Sequence, residues 1–408
     1  MDWRRFFNEC SKNRFEDSAI ASMMKIASEE NAMSLAAGEP FGDLYPVEDL
    51  KNTFMKSISR ELPIWGYSNS RTGVPPLRQW IADWMSGDGL LPEWVGAENI
   101  FITNGSQEGL YLLCECLLDP GDKVLVESPS YPEAFGIFRK FGAECLPVPL
   151  TDKGPDISVL EGILENNRVK FFYTIPTFQN PTGFSTSDEK KRQVLELARR
   201  HDFLILEDDP YRNLPFELLP GGTYIKASGD DQRVIYLGSF SKIIAPGLRC
   251  GWVAAPGQLL EKLVKIRIMG TLCLPELIQY AILEFVRTVD LPKYLDDLSR
   301  TYRLHRDALV SSLGRHAQPH GLEISVPEGG FFLWGRVPWI KDMQDFALFA
   351  IREEKVALIP GRDFFLEEGV GMDTLRLSFS KVTPLMAEEG GRRLGSALSK
   401  FRELRDPS

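Results

Sequence analysis

The chain has 408 residues, of which 43% are hydrophobic and 25% are charged. This composition is typical of a globular protein with a buried core, so extensive disorder is not expected. The length exceeds what one hydrophobic core usually serves, which predicts two domains. The formal net charge is −10 without a basic segment, which argues against nucleic acid as a partner and favours small molecules.

Cysteine usage and the N-terminus indicate the compartment. The six cysteines are scattered without a CxxC pair, and the four histidines show no spacing typical of a metal site. The first residues, MDWRRFF, lead into a polar stretch, and no segment approaches the roughly 20 apolar residues of a membrane helix. We therefore expect a cytoplasmic protein with reduced cysteines, no metal and no membrane partner.

Helix and strand patterns alternate through the first two thirds of the chain. A helical pattern follows Pro75 and Pro76, and another helix is predicted over 106–118. Compact apolar runs predict strands over 123–127, 169–174, 203–207 and 234–238, with a helix between the second and third that begins at the capping pair Thr186 and Glu189. Such apolar strands are buried on both faces, which indicates a mainly parallel sheet between helices. Ligands then bind at the carboxyl ends of the strands.

The pattern changes towards the C-terminus. A long helical stretch is predicted from Pro275 to about residue 312, followed by short strands around 331–334, 356–359 and 375–379. These elements are typical of a smaller α+β domain, and we place the change near residue 290.

The segment GSFSK at 238–242 carries the strongest local indication of chemistry. It follows a buried strand and is itself followed by PGLRCGW, which contains Arg249. The amine of Lys242 can form an imine with an aldehyde, and hydroxyls beside a guanidinium can bind a phosphate. The alternative is a serine-rich loop with a solvated lysine, and this segment alone leaves both open.

Two further segments end predicted strands with polar side chains. EDDPY at 207–211 places a carboxylate where it can hold a pyridine nitrogen protonated, although aspartate before proline is more often a cap or turn former. NPTG at 180–183 can place Asn180 to donate a hydrogen bond to a phenolate oxygen, although a plain turn is the alternative.

Anion binding is indicated at two other places. TNGSQEG at 103–109 opens a predicted helix, whose free backbone N–H groups form an anion site or are simply capped. Arg376 lies between Leu375 and Leu377, so it projects from the opposite face of its strand and can clamp a carboxylate bidentately. An exposed arginine on an edge strand is the alternative.

In this order, and together with Tyr131 and Tyr211, these segments resemble the fold-type-I pyridoxal-phosphate (PLP) aminotransferases over nearly the whole chain. FQNPTG at 178–183 and EDDPY are similar to the branch that holds 2-aminoadipate (kynurenine) aminotransferases and the effector domains of MocR-type regulators. The resemblance implies an aspartate-aminotransferase-like α/β fold, in which a mainly parallel, seven-stranded-type sheet lies between helices beside a smaller α+β domain. We expect an N-terminal arm and small-domain segment at 1–50, the large PLP-binding domain at 51–290 and the small domain at 291–408.

The resemblance also implies roles for individual residues. Lys242 would carry the cofactor as a Schiff base, Asp208 would face the pyridine nitrogen, Asn180 and Tyr211 would contact the ring oxygen, and Tyr131 would stack on the ring. Arg376, Gly38 and Asn180 would bind the substrate. The phosphate would be held by Ser106, Gln107, Ser239, Ser241, Arg249 and, from the neighbouring subunit of a homodimer, Tyr67.

One segment departs from that branch. Many of its members have GGLP where this chain has AGEP at 37–40. Glu39 could favour a neutral or basic substrate side chain over an acidic one, or could be a solvated turn residue.

The expected function is transfer of an amino group from an L-amino acid to a 2-oxo acid, such as 2-oxoglutarate or pyruvate, by a ping-pong Schiff-base mechanism. One alternative is another PLP reaction, such as a C–S or β-lyase, a decarboxylase or an oxidase. A second is a non-catalytic PLP-sensing regulator, which normally has a winged helix before this fold. Only about fifty residues precede the large domain here, which favours an enzyme. Neither GxSxG nor GxxxxGK[ST] occurs, which argues against serine hydrolases and P-loop enzymes.

Overall fold

The structure is a computed structural model that describes residues 1–14, 18–59, 64–217 and 220–405. In chain order, its strands are β1 (Met33–Ser34), β2 (Ile100–Thr103), β3 (Lys123–Ser128), β4 (Glu144–Thr151), β5 (Gly154–Pro155), β6 (Phe171–Thr174), β7 (Leu204–Asp208), β8 (Val234–Ser239), β9 (Gly251–Ala254), β10 (Glu323–Ser325), β11 (Phe332–Arg336), β12 (Val356–Ala357), β13 (Ile359–Pro360) and β14 (Thr374–Ser378).

The α-helices surround these strands. They are α1 (Glu9–Asn13), α2 (Ala19–Glu29), α3 (Val47–Ile58), α4 (Pro75–Gly87), α5 (Ser106–Leu117), α6 (Pro132–Phe141), α7 (Ile157–Asn166), α8 (Asp188–His201), α9 (Tyr224–Ala227), α10 (Gly257–Gly270), α11 (Glu276–Thr288), α12 (Leu291–His316), α13 (Met343–Glu354) and α14 (Pro384–Arg405). Within the described ranges, no helix combines the length and apolar character needed to cross a bilayer.

The large sheet has the strand order β2-β9-β8-β7-β6-β3-β4-β5. The neighbours from β8 through β4 run parallel, whereas β9 is antiparallel to both β8 and β2. Every residue of β2, β6, β8 and β9 is buried, as expected for strands that are covered on both faces. The predicted mainly parallel, seven-stranded-type sheet between helices is confirmed, with the two-residue β5 as an added antiparallel edge.

Several elements differ from the prediction. The pattern did not predict β2, β4 or β9, and β4 contains Pro147 and Pro149, which usually argue against a strand. The N-cap of α8 is Ser187, whose side chain accepts from the Lys190 N–H, instead of Thr186. The long helical stretch after Pro275 is two helices, because Asp290 caps the start of α12 and the ring of Pro292 fits only a first helical turn.

A second, antiparallel sheet has the order β10-β11-β14-β13. Arg376 in β14 is paired with Trp334 on one side and Ile359 on the other, so its strand is not an edge. The short β1 pairs in parallel with β12, which brings residues 33–34 beside the C-terminal elements. The predicted small α+β unit is confirmed, whereas the boundaries near residues 50 and 290 stay a prediction.

Buried polar contacts fix the loop that follows β7. The carboxylate of Glu207 is fully buried and accepts from the Tyr224 and Ile225 N–H groups at 2.8 and 2.9 Å, which caps α9. Arg212 is buried against Asp209 and also donates to the Gly221 carbonyl at 2.8 Å. These contacts hold both ends of the segment between Glu207 and Arg212 and therefore set the position of its residues.

Replacing Arg212 by alanine should destabilise the fold, because it leaves the buried Asp209 carboxylate without its counter-ion. We expect a loss of about 3–5 kcal/mol in the free energy of unfolding, measured by urea denaturation. Arg300→Ala is the matched control, since it breaks an exposed pair with Asp296 and should cost less than about 1 kcal/mol. Equal losses in both variants would contradict a structural role for the buried pair.

Candidate active site

A cavity of about 340 Å³ lies where β6, β7 and β8 end at the carboxyl edge of the large sheet. This is the position that ligands occupy in open α/β sheets. It contains twelve of the thirteen residues that the sequence predicted for the site: Gly38, Ser106, Gln107, Tyr131, Asn180, Asp208, Tyr211, Ser239, Ser241, Lys242, Arg249 and Arg376. The exception is Tyr67, whose side chain is 79% exposed and lies outside the cavity.

Lys242 follows β8 and extends into the cavity. Its Nζ donates to the Gly38 carbonyl at 3.0 Å and lies 5.7 Å from the centre of the Tyr211 ring. Burial lowers the pKa of Lys242 to about 8, and the positive charges of Arg376 and Arg249 contribute to the decrease. A substantial fraction of this amine is therefore neutral, and nucleophilic, near pH 8.

Asp208 is the last residue of β7 and its side chain is buried. Its Oδ2 accepts from the Tyr173 hydroxyl at 2.8 Å, whereas Oδ1 has no hydrogen-bond partner among the described residues. Burial raises the pKa of Asp208 to about 7, although the Tyr173 hydrogen bond opposes the increase. Oδ1 therefore lacks a hydrogen-bond donor, and a protonated ring nitrogen can supply one.

Arg376 is 2% exposed, so the alternative of an exposed edge-strand arginine is wrong. Its guanidinium donates to Asn180 Oδ1 at 2.8 Å and to the Ala36 carbonyl at 2.9 Å, and its Nε has no partner among the described residues. The guanidinium carbon lies 4.3 Å from the centre of the Phe332 ring. Burial lowers the pKa of Arg376 to about 10, and the group is still a cation near neutral pH that can bind a carboxylate.

Two tyrosines form aromatic walls of the cavity. The Tyr211 ring packs edge-on against Phe331 and Phe332, with ring centres 5.6 and 5.7 Å apart. The Tyr131 hydroxyl donates to Gln107 Oε1 at 3.3 Å. Burial raises the pKa of both tyrosines, so both are neutral hydrogen-bond donors at physiological pH.

The N-terminus of α5 has the geometry of an anion site. Gly105 precedes the helix with φ +81°, a conformation that favours glycine, and a Cβ there would lie 2.6 Å from Arg249 Nη2 and displace the guanidinium. The Arg249 side chain donates to the Asn104 carbonyl at 3.2 Å. Free N–H groups of the first helical turn and this guanidinium suit a phosphate, as do the nearby Ser239 and Ser241.

Some residues that line the cavity or support it from behind were missed by the sequence analysis. Tyr173, the partner of Asp208, lay inside a predicted strand, and its role depends on β6 and β7 being neighbours. Phe332, under the Arg376 guanidinium, carried no motif. Glu133, two residues after Tyr131, also lines the cavity, and its proximity to Tyr131 was the only available indication.

Known proteins resemble this chain over nearly its full length. A 2-aminoadipate transaminase from Thermus thermophilus is 34% identical over 401 residues, covering 98% of each chain. An aromatic-amino-acid aminotransferase from Thermococcus litoralis is 33% identical over 405 residues, covering 98% of this chain and 95% of that protein. The crystal structure of the alpha-aminoadipate aminotransferase LysN from Thermus thermophilus, complexed with N-(5'-phosphopyridoxyl)-L-leucine, is 33% identical and superposes with a TM-score of 0.89 over 99% of this chain and 100% of that chain.

The family model for aminotransferase class I and II matches residues 30–394. The predicted fold type and the predicted PLP-dependent aminotransferase are thereby confirmed. The chain belongs to the class I and II aminotransferases.

Proposed function

We propose that this aminotransferase accepts an L-amino acid and a 2-oxo acid in the 340 Å³ cavity, with Lys242 as the residue that is linked to the cofactor. The observation that supports these assignments is the placement of three groups around one space. They are the amine of Lys242, the unpaired oxygen of Asp208 and the guanidinium of Arg376.

The cavity residues fit pyridoxal phosphate. When bound, the cofactor supplies an electron sink that stabilises negative charge at the substrate's Cα. Asp208 would accept from the pyridine nitrogen, Asn180 and Tyr211 would contact the ring oxygen, and Tyr131 would stack on the ring. The first turn of α5 would bind the phosphate with Arg249 and the hydroxyls near the end of β8. A cationic partner would also lower the raised pKa of Asp208 and keep its carboxylate ionised.

Arg376 and Gly38 would bind the substrate. The buried Arg376 guanidinium would hold the α-carboxylate, because charge-assisted hydrogen bonds are strong in a desolvated site. A Cβ at Gly38 would lie 3.0 Å from the Phe332 ring and 4.0 Å from Arg376 Nη2. Glycine therefore leaves space beside the guanidinium that a larger residue would fill.

Lys242 would also remove the proton from the substrate's Cα. Once its amine is free, the Nζ would take the proton from the substrate's Cα as a general base. The pKa of about 8 favours this role, because a base is most effective when its pKa lies near the working pH. Arg376 would orient the substrate so that the Cα–H bond is the one that breaks.

The functional unit would be a cytoplasmic homodimer. Four large side chains are strongly exposed, and a partner subunit would cover them: Met55, Trp65, Tyr67 and Met269. Tyr67 of each subunit would then reach the phosphate in the neighbouring cavity. The cysteines form no disulfide in the described residues, as is usual in the cytoplasm.

Replacing Lys242 by alanine should remove transamination. We expect kcat to fall by at least about 10²–10⁴-fold, the usual contribution of a general base alone. The measurement is 2-oxo acid formation from a panel of L-amino acids with 2-oxoglutarate or pyruvate as acceptor. Lys51→Ala, at an exposed position of α3, is the control and should leave the rate unchanged. Substantial turnover by Lys242→Ala, or release of ammonia and pyruvate without an acceptor, would contradict the proposal.

The lowered pKa of Lys242 predicts its pH dependence. In protein freed of cofactor, acylation of Lys242 should rise with pH around a midpoint of about 8, below the ordinary lysine value of 10.5. Mass spectrometry of modified peptides measures this, with the exposed Lys51 as an internal control. Arg376→Gln should raise the midpoint, because it removes a positive charge that disfavours the protonated amine. A midpoint near 10.5 would refute the assigned environment.

Mixed dimers test whether Tyr67 acts across subunits. Lys242→Ala and Tyr67→Ala subunits are each expected to form weakly active homodimers, the second because cofactor binding is weakened. Mixing them should restore activity, since a hybrid then has one cavity with native Lys242 and native Tyr67 from opposite subunits. If the hybrid stays as inactive as its parents, Tyr67 acts within its own subunit or not at all.

A further inference from the structure

Glu133 brings a carboxylate to the cavity that none of the roles above uses. It lies in the first turn of α6, and its Oε1 accepts from the Ser18 hydroxyl, at the start of α2, at 3.0 Å. Its Oε2 is buried and has no hydrogen-bond partner among the described residues. An unsatisfied buried acceptor is costly, so this oxygen has reason to meet a donor from a bound molecule.

The other charged side chains at the cavity have partners of their own, so they do not neutralise Glu133. Under the proposed function, Arg249 faces the phosphate, Asp208 the ring nitrogen and Arg376 the α-carboxylate. Glu39, the other acidic side chain at the cavity, is paired with Lys381 at 3.0 Å and is largely exposed. Within the described residues, no basic side chain lies at ion-pair distance from Glu133, although its charge is close enough to raise the pKa of Arg376 against the effect of burial.

The surroundings of Glu133 suit a substrate side chain with an apolar stem. Ile20 and Met24 of α2 and Leu110 of α5 line the same cavity. Glu133 and Gln107 also line a second cavity of about 770 Å³, so the space continues past the carboxylate. A methylene chain can therefore contact the apolar wall while its polar end reaches Glu133.

We propose that Glu133 selects amino donors whose side chain ends in a cationic nitrogen, an ammonium or a guanidinium. The proposal rests on the proposed function, since it requires the α-carboxylate on Arg376 and the side chain directed towards Glu133. A cation would satisfy Oε2 and neutralise the uncompensated charge. An acidic side chain would be repelled by the same carboxylate, and a neutral one would leave Oε2 unsatisfied.

The kinetic test compares Glu133→Gln with the native enzyme on lysine, ornithine and arginine against leucine and phenylalanine. The variant keeps the size and the Oε1 acceptor but loses the charge. We expect kcat/KM for the cationic donors to fall by about tenfold to a hundredfold, mostly through KM, as for one charge-assisted hydrogen bond. The neutral donors should be almost unaffected.

Two matched variants serve as controls. Glu39→Gln removes a different carboxylate that lines the cavity and should leave the ratio of cationic to neutral donors unchanged, because Glu39 already has a counter-ion. Glu133→Asp keeps the charge and should keep the preference for cationic donors. A shift in the ratio with Glu39→Gln but not with Glu133→Gln would overturn the proposal, and so would an equal loss on all donors in Glu133→Gln.

A binding measurement separates this inference from the proposed function. 6-Aminohexanoate has a carboxylate and an ammonium but no α-amino group, so it can bind without reacting. By calorimetry on the holoenzyme it should bind more tightly than hexanoate, and Glu133→Gln should remove the difference. If no amino acid is transaminated while this difference holds, the proposed function fails, and only the binding of a cationic group at Glu133 stands. If neutral donors react but neither measurement depends on Glu133, only the present inference fails.

Discussion

The buried carboxylate of Asp208 is the constraint on which the site depends. Its place at the end of β7 is set by the parallel sheet, and burial alone would drive it towards the neutral acid. Tyr173 from the neighbouring β6 satisfies one oxygen and partly offsets that cost, and the other oxygen faces the cavity unpaired. The fold thus keeps an unfavourable group where a cationic ring nitrogen can compensate for it.

Further buried groups hold the neighbouring loops in place. Glu127, at the end region of β3, accepts from the Ile175 N–H and from Gln179 Nε2, both at 3.1 Å. Gln179 in turn accepts from the Thr182 N–H at 2.9 Å. This series of hydrogen bonds fixes the loop that carries Asn180. It therefore also fixes Asn180 Oδ1, to which Arg376 donates from the second sheet. The polar atoms that face the cavity are therefore held by buried polar atoms behind them.

The sequence predicted those parts of the molecule that depend on local pattern. Apolar runs identified β3, β6, β7 and β8. Motifs identified Asp208 and Lys242, because these reactive side chains lie at the ends of predicted strands. β4 was missed since its prolines are tolerated near a sheet edge, where fewer N–H groups are needed. Tyr173 could not be assigned because strand order is a long-range property. The burial of Arg376 likewise depends on two flanking strands that a local window does not include.

Residues 33–39 contribute backbone atoms to the cavity, and a search for sequence motifs does not find such atoms. The carbonyls of Ala36 and Gly38 accept from Arg376 and Lys242, the two cations that the substrate and cofactor would also engage. Every residue type has the same backbone carbonyl acceptor, so these hydrogen bonds cannot be recognised from the sequence. Only the closeness of the Phe332 ring, 3.0 Å from where a Cβ at Gly38 would lie, restricts the residue type. The pairing of β1 with β12 fixes the start of the segment beside the C-terminal elements. Arg376 then holds it from β14 of the second sheet and Lys242 from the end of β8 in the large sheet, so both sheets act on the same cavity through seven residues of chain, 33–39.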